Sequence, residues 1–212
     1  MAISKAAICR SFSLAFLLAS LSACGALLPT ASSDVEPAAL PEGAFRLDAD
    51  HAALVWKVEH LGYSLFVGRF NELDATLDFD PEAVENSSLA VTVDAASIDT
   101  GNPELDDILR GSGWLDTAAH PQIRFYSTAI QRTGERTGRV DGFLDLHGVE
   151  APITLDVTFN GSGSDFLRGG RDVLGFSATG ELTRSTFAID TLVPAVGDTV
   201  RIEIEAEFVS GG

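Results

Sequence analysis

Few side chains in this sequence could do chemistry, and their spacing excludes more than it suggests. Four histidines stand at His51, His60, His120 and His147. No two of them have the close local spacing of a zinc motif, and two sit beside turn-forming residues, so they read as histidines that cap turns or hydrogen-bond in place, with no metal expected. Serine, histidine and aspartate all occur, yet no nucleophile elbow, oxyanion loop or paired-carboxylate motif is spelled out, and no enzyme activity is expected. Asn86-Ser87-Ser88 has the form of a glycosylation sequon and reads as a loop. His60 stands apart. It shares a strand face with Trp56 and Val58 and opens His60-Leu61-Gly62, so it either serves the turn that Gly62 marks or meets the polar end of a bound molecule.

The reactive position that the context does specify is Cys24. Lys5 and Arg10 precede a short apolar run from Ser11 to Ser20, which is too short for a permanent membrane span of roughly 20 residues and has the layout of a removable export signal over residues 1–23. Leu21-Ser22-Ala23-Cys24 resembles the lipobox of bacterial lipoproteins, which implies cleavage before Cys24, acylation of its thiol and of the new amino terminus, and a place in the cell envelope facing the periplasm. Gly25, and not an aspartate, follows the cysteine; by resemblance to enterobacterial sorting this favours the outer membrane. The other cysteine, Cys9, falls in the discarded signal, so the mature chain has no disulfide and must be held by burial and hydrogen bonds.

The remaining 189 of 212 residues suffice for one domain with a substantial core. Removing Lys5 and Arg10 from 14 basic residues leaves 12 against 31 acidic ones, a net charge of −19. Such a surface repels nucleic acid and anionic headgroups. Residues 24–44, with Pro29, Pro37 and Pro41 and no periodicity, read as a flexible tether of roughly 25 Å mean span. From 45 to 209 the dominant signal is two-residue alternation. Val200, Ile202, Ile204, Ala206 and Phe208 interleave with Arg201, Glu203, Glu205 and Glu207, and similar rows run through Leu54–His60, Ala75–Phe79, Leu89–Ala95, Ile123–Ser127, Leu144–Leu146 and Ile153–Phe159. Each row is a strand with one greasy and one wet face. Asn160-Gly161-Ser162-Gly163 and Arg132-Thr133-Gly134 read as turns between them. About eight short-connected strands predict an all-β antiparallel barrel or sandwich. Asn102 as cap, Pro103 at the first position and Leu105, Ile108 and Leu109 in helical phase predict one short helix over 103–110, its greasy side laid on the sheet or over a barrel mouth. Residues 210–212 form a tail.

Five strings then resemble the YceI-like family in order: Val58-Glu59-His60-Leu61-Gly62-Tyr63-Ser64 with Gly68-Arg69-Phe70; Ser97-Ile98-Asp99-Thr100-Gly101-Asn102; Trp114-Leu115-Asp116 with His120-Pro121-Gln122-Ile123-Arg124-Phe125; Gly142-Phe143-Leu144-Asp145-Leu146-His147-Gly148-Val149; and Gly175-Phe176 with Arg184-Ser185-Thr186-Phe187. Two departures stand out. Leu105-Asp106-Asp107-Ile108-Leu109 lacks the arginine and histidine usual on the family's helix, and Ala188 replaces a common glycine. The resemblance implies an extended, lipocalin-like, eight-stranded barrel in the periplasm that holds a polyisoprenoid, quinone-like or fatty acyl chain. It further implies a cytochrome b561-type membrane protein as partner, since some relatives are fused to or encoded with one, and a homodimer, since relatives are often dimers.

On that expectation Trp56, Val58, His60, Phe70, Leu77, Val91, Phe125, Leu144, Leu155 and Phe176 are the candidate ligand-binding residues. The same side chains read equally well as plain core, because a small barrel buries its inward residues whether or not it binds anything. The anchor carries its own test. Replacing Cys24 with serine is expected to release the protein from the membrane fraction, and persistent membrane association of the variant would refute acylation at this position.

Overall fold

The computed structural model describes residues 31–166 and 169–211. The export signal and Cys24 lie outside the described residues. Eleven strands form one sheet in which every neighbouring pair is antiparallel: β1 (Gly43–Leu47), β2 (Ala53–His60), β3 (Ser64–Phe70), β4 (Leu73–Phe79), β5 (Ser88–Asp94), β6 (Ile98–Asp99), β7 (Gln122–Arg132), β8 (Thr137–Leu146), β9 (Val149–Asp165), β10 (Arg171–Thr183) and β11 (Val196–Ser210).

The registers reduce these eleven to eight. β1 and β2 both pair with β11, Leu47 opposite Phe208 and Ala53 opposite Glu205. They form one long strand interrupted by a 3-10 turn at Ala49–His51, where the Asp48 carboxylate accepts from the Asp50 N–H. In the same way β3 and β4 are one strand broken at Asn71 and Glu72, pairing with β2 and β1 respectively. β5 and β6 are one strand broken at Ala95–Ser97, pairing with β4 and β3. The result is an up-and-down meander of eight, closed where β1–β2 meets β11. Closure satisfies the backbone of what would otherwise be two edge strands. The expected eight-stranded antiparallel barrel is therefore the observed one.

One connection is long. Between β6 and β7 runs the helix α1 (Pro103–Arg110), with Asn102 Oδ1 accepting from the Glu104 N–H at 3.1 Å and Pro103 in the first turn, as the sequence predicts. Its inward face differs from the expected one. Leu109 is buried and Leu105 packs on the barrel, but Ile108 is 57% exposed. The place on the inner face is taken by Asp106, whose carboxylate accepts from Thr100 N–H at 2.8 Å and Thr100 Oγ1 at 2.6 Å. That pairing ties the helix to the end of β6, and a buried carboxylate is tolerable there because both donors are supplied.

One further expectation is corrected. Asn160-Gly161-Ser162-Gly163 is not a turn but lies inside β9, which is 17 residues long. Here Phe159 pairs with Phe176 and Gly161 with Gly175, so Asn160 is the extra residue of a β-bulge. Part of the segment read as tether also lies against the barrel. From Ser32 onward the chain follows the barrel: Ser32 and Ser162 exchange backbone hydrogen bonds, and Val35 and Leu40 pack on a cluster of buried phenylalanines. The absence of a side chain at Gly161 makes this docking feasible, since a Cβ there would lie 2.6 Å from Ser32 O.

The turns hold the left-handed positions. Leu146 and Val149 are joined by His147-Gly148 at φ 55° and 73°, the two-residue turn that matches strand twist. Ala188, which stands where the family commonly has glycine, closes the 3-10 turn Arg184–Phe187 at φ 58°. A Cβ in this conformation costs on the order of 1 kcal/mol. Ala188→Gly is accordingly expected to stabilise the fold by up to about 1 kcal/mol in urea denaturation, and a clear loss of stability would refute strain at this turn.

Candidate functional site

Inward-facing residues of the eight strands surround two cavities stacked along the barrel. The first, with about 210 Å³ open to the centre of a water molecule, lies among β1, β4, β5 and the strands from β7 to β11. The second, with about 200 Å³, lies toward α1 and the β2–β3 hairpin. Each is far beyond the roughly 10–15 Å³ that one water requires, so these are not packing defects. Leu54, Val91, Leu155 and Ile204 border both cavities and form a waist between them.

The two chambers differ in chemistry. A cage of Phe79, Phe159, Phe176 and Phe208 lines part of the first, with ring centroids 5.5–6.4 Å from Phe176 in tilted and edge-on contacts. Its outer rim carries Gln131, Arg132, Glu135 and Arg136, with Val35, Leu40 and the loop around Val84 on the other side. The guanidinium groups of the rim brace the turn: Arg132 donates to Gly134 O and Glu135 O, and Arg136 to Phe159 O and Asn160 O.

The second chamber is apolar except for Arg184, which is 4% exposed. Its guanidinium donates to four backbone carbonyls, those of Gly197, Ile189, Thr191 and Val196, at 2.8–2.9 Å, and lies 5.4 Å from the Trp114 ring centroid. Burial pushes its pKa down from the usual arginine value, against the pull of Asp198 and Asp190. With its donors committed to the 189–197 loop, Arg184 acts as an internal staple and not as a reactive group.

Of the ten candidate residues, nine line this interior. Trp56, Val58, Phe70, Phe125 and Leu144 border the second chamber, Leu77 and Phe176 the first, and Val91 and Leu155 the waist. The Trp56 indole fits because Gly68 faces it, where a Cβ would come within 2.2 Å of the ring. Its N–H is buried without an acceptor among the described residues. His60 is not brought into the group. It is in phase with Trp56 and Val58, but β2 runs past the end of the chamber there, and His60 lies exposed at the hairpin, paired with Ser64. At the turn its backbone carbonyl accepts from the Tyr63 N–H at 3.0 Å while Leu61 and Gly62 take φ 54° and 72°. Sequence reasoning passed over Leu54 and Ile204, both in phase within recognised strands, and Arg184, present in a quoted motif.

Fold and interior together define the class: a closed antiparallel barrel of lipocalin-like form around an apolar interior. A family model described as "YceI-like domain" matches residues 45–208, and the chain belongs to the YceI-like family. It is 37% identical over 162 residues to a UPF0312 protein of Pseudomonas putida (strain W619), covering 76% of this chain and 83% of that protein. Among solved structures, Burkholderia cenocepacia BcnA superposes with a TM-score of 0.69 at 25% identity, over 76% of this chain and 98% of that one. A polyisoprenoid binding domain from Saccharophagus degradans, implicated in plant cell wall breakdown, does so at 0.57 and 16% identity, over 81% and 100%, a likeness of fold.

Solution pH reaches the chamber wall through Asp198. Its carboxylate accepts from Ser185 Oγ at 2.7 Å and Ser185 N–H at 2.9 Å, and these bonds, the hydroxyl first, hold its pKa below the ordinary 3.8. A depressed carboxylate contributes stability that is present above the unfolded value and is lost as pH falls through the folded one. Hydrogen exchange at the Ser185 amide is expected to accelerate below about pH 3.8, and Ser185→Ala to flatten that dependence; an identical acid response in the variant would refute the link.

Proposed function

We propose that this protein is a non-enzymatic carrier that sequesters a long apolar chain, a polyisoprenoid, quinone-like or fatty acyl group, along the barrel axis. The observation that carries the reading is the pair of apolar chambers sharing Leu54, Val91, Leu155 and Ile204. These four side chains border both spaces. A barrel filled by its own side chains, the rival expectation, would leave no such space.

Magnitudes favour a long guest. Burial of each CH₂ contributes about 0.8 kcal/mol, while association costs about 4–15 kcal/mol. Fifteen buried carbons contribute roughly 12 kcal/mol on that scale, so a short ligand gains little and a long tail is needed. The polar end of the guest is placed at the outer rim, where Gln131, Arg132, Glu135 and Arg136 gather and the walls cease to be apolar. The Saccharophagus degradans domain, described as polyisoprenoid binding, supports this class of guest.

The membrane setting belongs to the same proposal. Acyl chains on Cys24 would hold the barrel at one membrane, since two or three chains anchor stably where one does not, and the guest would be exchanged there instead of being ferried across a gap. The cytochrome b561-type partner, and with it a quinone-like guest, rests on the family resemblance, as does a homodimer.

Native mass spectrometry of protein purified from its own host is expected to show a bound lipid, and the purified barrel to take up a fluorescent polyprenyl probe. Val91→Phe, which narrows the waist, is expected to weaken uptake of the long probe about tenfold or more while a short fatty acid still enters one chamber. An empty barrel with no uptake of either probe would sink the carrier reading.

A further inference from the structure

The histidines that local spacing left unconnected meet in space. One ligand atom from each of Asp116, His120 and His147 lies within 4.8 Å of the others, and all three side chains are half-buried. Asp116 and His120 lie in the connection from α1 to β7, where His120 N–H donates to Asp116 O at 2.8 Å, an i to i+4 bond that closes a turn between them. His147 comes from the β8–β9 turn. Among the described residues the Asp116 carboxylate has no hydrogen-bond or ion-pair partner. The two rings stand edge to face, 5.0 Å between centroids, and Gly148 makes room for His120, since a Cβ there would lie 2.5 Å from Cε1.

The decisive detail is the outer partner of His147. Its Nδ1 lies 3.0 Å from Phe187 O. A carbonyl oxygen can only accept, so Nδ1 carries the proton and the lone pair is left on Nε2. This is the arrangement by which proteins prepare an imidazole for a metal: the far nitrogen donates to a backbone oxygen, which fixes the tautomer and orients the ring. The other acid–histidine grouping, Asp48, His51 and Glu207, is unlike it, because His51 Nδ1 is bonded to the Asp48 carboxylate at 2.9 Å.

We propose that Asp116, His120 and His147 form a binding site for a divalent transition-metal ion of the zinc class. Two imidazoles and one carboxylate suit such ions in preference to calcium or magnesium, whose ligands are oxygens. Three protein ligands leave a coordination position for water. Leu115 and Leu146, which neighbour Asp116 and His147 in sequence, both line the second chamber. An ion here therefore fastens the α1–β7 connection to the β8–β9 turn and stiffens that chamber's wall.

Calorimetric titration of the chelator-treated full chain, held in mild detergent, with zinc chloride tests the site. One saturable equivalent is expected, with affinity lowered about tenfold or more in Asp116→Asn, His120→Gln and His147→Asn but unchanged in His51→Gln. Asparagine at 116 and 147 tolerates the left-handed backbone found there, φ 44° and 55°. The zinc-free thermal midpoint of each variant serves as the check on folding, and zinc is expected to raise the midpoint of the wild type and not of the three variants. No saturable binding, or binding of undiminished affinity in a folded Asp116→Asn, His120→Gln or His147→Asn chain, would overturn the proposal.

Discussion

Closure of the sheet on itself is the constraint from which the rest of this structure follows. Eight strands give an interior just wide enough for their side chains or for one slender guest, and the ring leaves no open sheet edge. The closing seam depends on β11, whose 15 residues pair with β1 at one end and β2 at the other. The three broken strands are successive ones, interrupted at Asp48–Ala52, Asn71–Glu72 and Ala95–Ser97. At two of these breaks aspartates, Asp48 and Asp94, accept from the backbone two residues on, a local device that stands in for the interrupted ladder.

Length without width produces an interior of chambers in line. The inward rows are largely apolar, and Leu54, Val91, Leu155 and Ile204 border both chambers. Polar groups inside are admitted only where the backbone satisfies them. Arg184 spends four N–H donors on carbonyls of a single loop, and Asp106 spends one oxygen on Thr100. Both work as ties between the barrel and the segments that cover its end, without offering the interior a charge to be solvated.

The alternation of β11 and of the other rows was legible because one face of each strand is wet, and period-two patterning then has a single reading. The α1 boundaries were legible from Asn102 and Pro103, whose roles are local. Strand length was not. Asn160-Gly161 suits a turn and a bulge equally well, and only the partner strand, with Phe176 opposite Phe159, decides between them. His60 was placed on the correct face but at the wrong depth, because periodicity specifies which side a residue takes and not where the barrel ends. Nine of the candidate residues face the cavities for the reason that they face inward at all. Whether inward side chains meet or leave a gap depends on barrel diameter and tilt, which no local pattern encodes.

The approach of His120 to His147 was illegible for a related reason, and it shows what closure adds. In sequence the two are 27 positions apart with the whole of β7 and β8 between them. A hairpin of two strands returns its far end beside its near one, so the residue preceding β7 and the turn following β8 must share an edge of the barrel. Asp116 joins them through a turn closed by the His120 N–H on its own carbonyl. The meander thus gathers at one end the segments that cover the second chamber: the α1–β7 connection, the β8–β9 turn and the loop stapled by Arg184, whose neighbour Phe187 offers its carbonyl to His147. The first chamber has its rim of Gln131, Arg132, Glu135 and Arg136 at the other end. The barrel is thus braced by internal ties at one end and bordered by polar side chains at the other.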